Sequence, residues 1–192
     1  MLRSVSRLLA LKSSIVIALA VTVGGCQESS TDNGQNGGVE SNASNTTFSE
    51  ALGNNADLST SAKLLDASQL GTAVDGEGSY TVFLPVNEAW TALSTAEREA
   101  IESEEHKPQL IAVLRQHIAP GYVLAADLER GLSEKDGSLT LTTMGAMPLT
   151  IRRDGEAIKL GEGTDAPRIV GVPIVAGNDV IYRIDRLIPP PS

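Results

Sequence analysis

The chain has 192 residues, with 24 acidic and 15 basic side chains and a formal net charge of −9. Hydrophobic residues make up 41% of it, which is enough for the packed core of one domain. The single cysteine excludes an internal disulfide and a zinc cluster built on cysteines. The acidic balance argues against nucleic acid as a partner, because phosphate binding needs a basic surface.

The first 25 residues have the pattern of a secretory signal. Arg3, Arg7 and Lys12 precede a short apolar run from residue 15 to residue 23. A basic start before such a run is typical of export, and the run is shorter than the ~20 apolar residues of a membrane-spanning helix. Residues 1–25 are therefore predicted to be a cleaved signal peptide.

The only cysteine, Cys26, follows Val23-Gly24-Gly25 at the end of the apolar run. This segment resembles a bacterial lipobox, and the resemblance implies cleavage before Cys26 and acylation of its thiol and amino group. The anchor would hold the protein on a membrane, since several acyl chains bind far more firmly than one. By resemblance to lipoproteins of enteric bacteria, Gln27 in place of Asp implies the outer membrane. The alternative is an ordinary cleaved signal with an incidental cysteine.

Residues 26–46 join this anchor to the rest of the chain and are almost wholly polar. Val39 and Ala43 are the only apolar side chains from residue 27 to residue 46. Such a segment buries too little surface to offset its chain entropy. We therefore expect a disordered tether that lets a domain formed by residues 47–190 stand away from the lipid.

Helix signals dominate the first half of that domain. Apolar spacing predicts one helix from Phe48 and a second from Leu58, with Gly71 as its stop. A later helix is expected to begin near Pro108, and a last one is expected to end at Gly131.

One strand interrupts these helices. Residues 80–84 combine aromatic and β-branched side chains, which predicts a strand. Asn87 is the expected N-cap of a short helix whose apolar face holds Trp90. Ser94 and Glu97 match the capping box of the next helix.

Short strands fill the second half of the domain, separated by Gly, Asn or Asp. Helices first and strands later favour an α+β fold. We expect antiparallel pairing, with two sheets packed face to face. The predicted strands are residues 138–143, 149–153, 157–160, 168–175 and 180–188.

Four stretches, in this order, resemble a fasciclin-like domain over residues 47–190. They are YTVFLPVNEAW at 80–90, LRQHIAPG at 114–121, DGSLTLTT at 136–143 and IVAGNDVIYRIDRLIP at 174–189. The resemblance implies an antiparallel β-sandwich or wedge with N-terminal and flanking α-helices. It also implies a role in adhesion to matrix, glycans or other cells.

Five residues of these stretches match the family's motifs, and a structural role is expected for each. Asn87 would satisfy backbone donors at a helix start, and Trp90 would lie in the core. His117 would bond the last carbonyls of its helix or fill the core. Asn178 belongs to the closing stretch, and Asp185 would pair with a neighbouring donor or arginine.

The sequence also departs from the family pattern. Pro173 stands where the family usually has Asp, and Asp179 replaces the usual Gly. Tyr182 replaces a common His, and Gln116 replaces a common aromatic residue. Adhesive contacts of some animal members are attributed to acidic and aliphatic residues around the closing stretch, and the acid is missing at residue 173.

No catalytic signature is present in the sequence. There is no Gly-x-Ser-x-Gly, no His-Glu-x-x-His and no phosphate-binding glycine loop. Only His106 and His117 could act as neutral bases, and His106 sits at a charged helix boundary. We expect neither an enzyme nor a metal or cofactor site.

Two functions follow from these features. The first is a lipid-anchored module of the bacterial cell envelope that binds a protein or glycan partner, which the sequence does not identify. The second is a periplasm-facing scaffold or carrier for a small apolar ligand, with Tyr122, Met144 and Met147 lining a cleft. No feature decides the oligomeric state or the face of the outer membrane.

Overall fold

The computed structural model describes residues 45–189, apart from the side chain of Glu102. Two short turns of 3-10 helix, Ala56–Leu58 and Glu104–His106, accompany the α-helices. The helices α1 to α7 are Phe48–Gly53, Ser59–Ala67, Leu70–Val74, Asn87–Thr91, Thr95–Glu102, Lys107–Gln116 and Ala125–Glu134.

Capping boxes begin two of these helices. At α5, the Ser94 backbone N–H donates to Glu97 Oε2 at 2.8 Å, which confirms the predicted box. The hydrogen bonds from Ser94 hold the pKa of Glu97 below its usual value. Thr47 and Glu50 form a second box at α1, which the sequence analysis missed. Both helix starts are therefore encoded locally.

The predicted helix stops at Gly71 and Gly131 are wrong. The chain breaks earlier, where Gln69 adopts a left-handed conformation with φ 62°, and Gly71 lies inside α3. Gly131 lies inside α7, where a Cβ atom would meet Leu139 at 3.4 Å. Neither glycine has the positive φ that is typical of a glycine closing a helix, so neither ends its helix.

In residues 45–189, seven strands form two sheets. The larger sheet has the order β2-β1-β7-β6, and the smaller sheet has the order β3-β4-β5. The sequence analysis missed β2, because three residues carry too little pattern. The strands β1 to β7 are Tyr80–Pro85, Ile118–Pro120, Ser138–Leu141, Leu149–Asp154, Ala157–Leu160, Ile169–Ala176 and Asp179–Ile184.

The central pair of the larger sheet corrects the expectation of purely antiparallel pairing. β1 and β7 run parallel, with Thr81 opposite Val180 and Pro85 opposite Ile184. The other strand pairs are antiparallel. A parallel pair needs a long crossover connection. Residues 86–178 provide it, because an extended chain spans roughly 3.3 to 3.6 Å per residue. Strand direction was not readable from either segment alone.

The last strand is also shorter than predicted. β7 ends at Ile184 instead of residue 188. Just beyond it, the Asp185 backbone N–H still donates to the Arg168 carbonyl oxygen at 3.0 Å. The Asp185 side chain accepts a hydrogen bond from the Arg168 backbone N–H at 2.7 Å.

The larger sheet has apolar side chains on both faces. On one face, β1 and β7 pack against the helices in what we term the helical core, which includes Phe48, Leu58, Leu65, Val82, Leu84, Leu114 and Ile181. On the other face, they pack against α7 and the smaller sheet in the inter-sheet core, which includes Phe83, Leu128, Leu132, Ile151, Leu160, Tyr182 and Ile184. The α+β class and the packing of two sheets on one core confirm the predicted fold.

No helix in the described part of the chain is both long and apolar enough to cross a bilayer.

A buried hydroxyl joins α2, α4 and the end of β1. Ser61 is fully buried, and its Oγ donates to the Pro85 carbonyl oxygen at 2.6 Å. Ser61 Oγ also accepts a hydrogen bond from Trp90 Nε1 at 2.8 Å. Both partners are therefore satisfied by one small side chain, as buried polar groups require.

Ser61→Ala is expected to lower the free energy of unfolding by about 2 kcal/mol, because it leaves a buried carbonyl and a buried indole N–H unpaired. Urea unfolding followed by Trp90 fluorescence measures the loss. The control is Ser133→Ala, whose hydroxyl lies on the exposed side of α7, and which should change stability by less than about 0.5 kcal/mol. Equal stability of the two variants would refute the role of Ser61.

Candidate functional site

Asn87 caps a helix other than its own. Val86, not Asn87, is the N-cap of α4, which corrects the prediction. Asn87 Oδ1 accepts the backbone N–H of Thr60 at 3.0 Å, and its Nδ2 donates to the Ala56 carbonyl at 2.8 Å. Thr60 lies in the first turn of α2, where N–H groups lack partners within the helix. Asn87 thus fixes the start of α2 to the end of β1.

Trp90 is 4% exposed and lies at the junction of α4 with α2. Its indole bonds Ser61, as described above, so both its apolar body and its N–H are used inside the fold.

His117 joins the end of α6 to the last described residues. Its Nδ1 contacts the Val113 carbonyl oxygen at 2.8 Å, and its Nε2 contacts the Ile188 backbone N–H at 3.0 Å. The first contact requires a proton on Nδ1 and the second requires a bare Nε2, so the ring must be neutral. Burial lowers the pKa of His117 to about 4, although the hydrogen bond to Val113 opposes this. A proton-transfer role near neutral pH does not fit this environment.

Asn178 and Asp179 hold the turn before β7 against the start of β1. Asn178 Nδ2 donates to the Gly78 carbonyl oxygen. Asp179 Oδ1 accepts the Tyr80 backbone N–H at 2.8 Å. Burial raises the pKa of Asp179 to about 6, the Tyr80 N–H opposes this, and the nearby carboxylate of Asp75 adds to it. The aspartate that replaces the family's usual glycine thus carries an unfavourable charge at neutral pH.

Asp185 pairs with an arginine, Arg168. Besides the backbone contact, its Oδ2 accepts a hydrogen bond from Arg168 Nε at 2.9 Å. The pair joins the end of β7 to the residue just before β6.

Gln116 and Tyr182, two of the departures from the family pattern, are buried and bonded. Gln116 Nε2 donates to the Met147 carbonyl oxygen at 2.7 Å. Tyr182 stacks on Phe83 with ring centroids 5.4 Å apart, and its hydroxyl donates to the Val123 carbonyl at 3.0 Å. Burial raises the pKa of Tyr182. Both residues stabilise the fold and leave no polar group available for a ligand.

The five motif residues therefore do not converge on one pocket. Each joins a different pair of elements, and none contacts another through a hydrogen bond that the structure shows. Cys26 lies outside the described residues, as do the signal and the tether up to residue 44. Within residues 45–189, no group of His, Cys, Asp and Glu side chains is arranged to hold a metal ion.

A serine–histidine contact is present but local. Ser103 Oγ lies 2.7 Å from His106 Nδ1. The same hydroxyl accepts the His106 backbone N–H at 3.3 Å, so it caps the 3-10 turn at Glu104–His106. A nucleophile would need a base held by a third group, and the hydrogen bonds of the described residues show no such group at His106.

The three residues of the expected apolar cleft, Tyr122, Met144 and Met147, differ in their surroundings. Tyr122 and Met147 are 38% and 52% exposed, whereas Met144 packs on the helical core.

An apolar groove lies between α2, α4, α5 and α6. It consists of two adjoining clefts of about 170 and 300 Å³, which share Thr60, Leu64 and Ile101. Basic side chains also line it: Lys63, Arg98 and Lys107.

The family model of the Fasciclin domain matches residues 56–190. The chain therefore belongs to the Fasciclin domain family, which confirms the resemblance noted in the sequence. Protein sll1483 of Synechocystis sp. is 29% identical over 76% of this chain and 74% of that protein. Human periostin is 29% identical over 67% of this chain, which corresponds to only 14% of periostin.

A solved structure has the same fold. It is a FAS1 domain pair from the insect cell adhesion molecule Fasciclin I, with a TM-score of 0.65 and 18% sequence identity. The match covers 74% of this chain and 50% of that one. At this identity the likeness shows the fold alone.

The opposite pKa shifts of Asp179 and His117 predict a specific pH dependence. Between about 3.8 and about 6, the folded state holds more protons at Asp179, so stability falls as pH rises. Between about 4 and 6.5, the unfolded state holds more protons at His117, so stability falls as pH drops. The two effects largely cancel in the native protein between pH ~4 and ~6.

Asp179→Asn keeps the acceptor for Tyr80 but removes the charge. The variant should be more stable than the native protein by on the order of 1 kcal/mol at pH ~8. It should also lose about 1 kcal/mol per pH unit on acidification below pH ~6, because the His117 effect is no longer offset. Urea unfolding across this range tests both. The exposed Glu99→Gln should keep the native profile, and the same profile for Asp179→Asn would contradict the assignment.

Proposed function

We propose that this chain is a lipid-anchored binding module of the bacterial cell envelope, which mediates adhesion or interaction with a protein or glycan. Its membership of the Fasciclin domain family is the observation that carries the proposal. The solved structure with the same fold comes from an insect cell adhesion molecule, and the proposal is consistent with that class of protein.

The way the motif residues are used supports binding rather than catalysis. Four of the motif residues use their polar groups in hydrogen bonds inside the fold: Asn87, Trp90, His117 and Asp185. The neutral, doubly bonded His117 has no free nitrogen for general base catalysis. We therefore propose that the domain is not an enzyme and that it acts through its surface without a cofactor.

The amino-terminal segment supports attachment to the envelope. The basic and apolar residues of 1–25 suit export, and Cys26 follows them in a lipobox-like position. In this proposal, the polar residues 27–46 let the domain reach a partner beyond the membrane, and Gln27 favours the outer membrane. The acidic chain would then be held by its acyl groups, since electrostatics would repel it from anionic lipid.

The apolar groove between α2, α4, α5 and α6 favours the alternative function, a periplasm-facing carrier of a small apolar ligand. Leu64, Ile101, Ala67 and Leu110 give it an apolar lining. Its cleft volumes of about 170 and 300 Å³ are at or below the ~300 Å³ lower end of typical ligand pockets, which makes this the weaker candidate.

Cys26→Ala is expected to abolish acylation, because it removes the thiol that the lipid would be attached to. In cells grown with radioactive palmitate, label should be lost from the variant, and the protein should move from the membrane to the soluble fraction. Cells expressing Gln27→Ser serve as the control and should retain label and membrane partitioning. Unchanged processing and partitioning of Cys26→Ala would contradict the anchor.

Cells displaying the protein should attach to a panel of matrices and partner cells more than cells carrying the empty vector. Counting of attached cells measures this, and protease treatment of intact cells should remove both the domain and the extra attachment. Attachment equal to that of the vector cells would contradict adhesion. Protection from protease, together with an apolar molecule retained by the purified protein in mass spectrometry, would favour the carrier.

A further inference from the structure

Three basic side chains form a row across the strands of the smaller sheet and the start of β6. Arg152 of β4 lies directly opposite Lys159 of β5. Lys159 in turn lies opposite Arg168 through a single β-bridge. Directly opposite residues project from the same face, with strands about 4.8 Å apart. We term Arg152, Lys159 and Arg168 the cationic row.

The row faces away from the protein interior. The adjoining register pair, Ile151 opposite Leu160, is fully buried in the inter-sheet core. Successive side chains of a strand alternate between the two faces of a sheet. Arg152 and Lys159 therefore lie on the outer face, where Arg152 is half-buried and the Lys159 side chain is 14% exposed, whereas the Arg168 side chain is 53% exposed.

Two members of the row are compensated by nearby acids. Lys159 Nζ lies 2.6 Å from Asp154 Oδ2, and it also donates to the Thr164 carbonyl at 3.3 Å. Arg168 is paired with Asp185. Like charges directly opposite each other on neighbouring strands are destabilising, so these partners reduce the repulsion at two of the three positions.

Arg152, at one end of the row, has no carboxylate in salt-bridge contact within residues 45–189. Its hydrogen bond to a protein group is from one terminal nitrogen to the Gly163 carbonyl oxygen, at 2.9 Å. Its Nε is buried and has no hydrogen-bond partner there. A guanidinium offers five N–H donors, and a buried donor without a partner costs free energy. The terminal N–H groups of Arg152 that make no hydrogen bond within the described residues are suited to an anionic ligand.

The row opens into a cleft of about 380 Å³. The cleft is lined by Arg152, Arg153, Asp154, Lys159, Gly163 and Thr164. Arg153 is already paired with Glu129, so it adds little net charge. The hydrogen bond and charge of Lys159, with a smaller contribution from Arg152, hold the pKa of Asp154 below its usual value. Even the carboxylate at the rim thus experiences a positive field.

We propose that the cationic row binds an acidic polysaccharide through its carboxylate or sulfate groups. The inference rests on the proposed binding function and assigns its ligand class and its site. A guanidinium binds such oxygens through two parallel hydrogen bonds, and the linear row suits an extended chain with repeated charges. Because the whole chain carries −9, its overall charge repels a polyanion, and binding depends on this local row. Duplex nucleic acid suits the surface less, because it needs a long basic face.

The test compares two variants of the mature protein in detergent. Arg152→Gln/Lys159→Gln removes two charges from the row. Lys63→Gln/Arg115→Gln removes the same charges from the exposed faces of α2 and α6. Calorimetry measures binding to heparin, which carries sulfate and carboxylate, and to alginate, which carries carboxylate only, with neutral dextran as the blank.

The row variant is expected to bind heparin or alginate about tenfold more weakly or worse, which is the loss of one charge-assisted hydrogen bond. The matched control should bind like the native protein, and thermal unfolding should show that both variants are folded. Arg152→Lys should bind with intermediate strength, because it keeps the charge but loses the second hydrogen bond. Which polymer binds more tightly distinguishes sulfate from carboxylate recognition.

Several outcomes would overturn the inference. These are no binding of either polymer by the native protein, equal weakening in the two double variants, or tighter binding of duplex DNA than of either polysaccharide. The cell attachment experiment separates this failure from failure of the proposed function. Attachment of native cells that the row variant does not reduce overturns the row but leaves adhesion intact, whereas native attachment equal to vector cells overturns adhesion itself.

Discussion

The parallel pairing of β1 with β7 is the constraint on which the rest of the domain depends. It joins Thr81 to Val180 and continues to the ends of both strands. Val82 and Ile181, neighbours in this register, belong to the helical core, whereas Phe83 and Tyr182 stack in the inter-sheet core. One strand pair thus supplies both cores, and neither core could close until distant parts of the chain have met.

Most of the family's motif residues make contacts at the ends of β1 and β7. Asn87 follows β1 and fixes α2 to its end, Asn178 holds the turn before β7, and Asp185 anchors the chain after β7. His117 ties α6 to the segment that follows, at Ile188. The motif residues therefore form hydrogen bonds that hold neighbouring elements to these two strands. Binding falls to surfaces that the motif does not use, which is consistent with one fold that serves many partners.

The charged residues also divide into a group that stabilises the fold and a group that is proposed to bind a partner. The chain is strongly acidic, yet Arg152, Lys159 and Arg168 lie side by side on the outer face of the smaller sheet and at the start of β6. By contrast, Asp179 and His117 are enclosed, and burial keeps each away from its usual ionisation. Enclosed groups tune stability with pH, whereas exposed groups are available to a partner.

The sequence by itself determined a helix start with local capping, a strand rich in aromatic and β-branched residues, and the family, because these signals lie within a few neighbouring residues. The box at Ser94 and the strand at 80–84 are examples. Only the tertiary structure decided that β1 and β7 are parallel, that Asn87 caps α2 rather than α4, and that Gly131 packs within a helix. It also brought Arg152, Lys159 and Arg168 into line. Each of these depends on which distant segments meet, and a contact between distant segments leaves no periodic trace in either one.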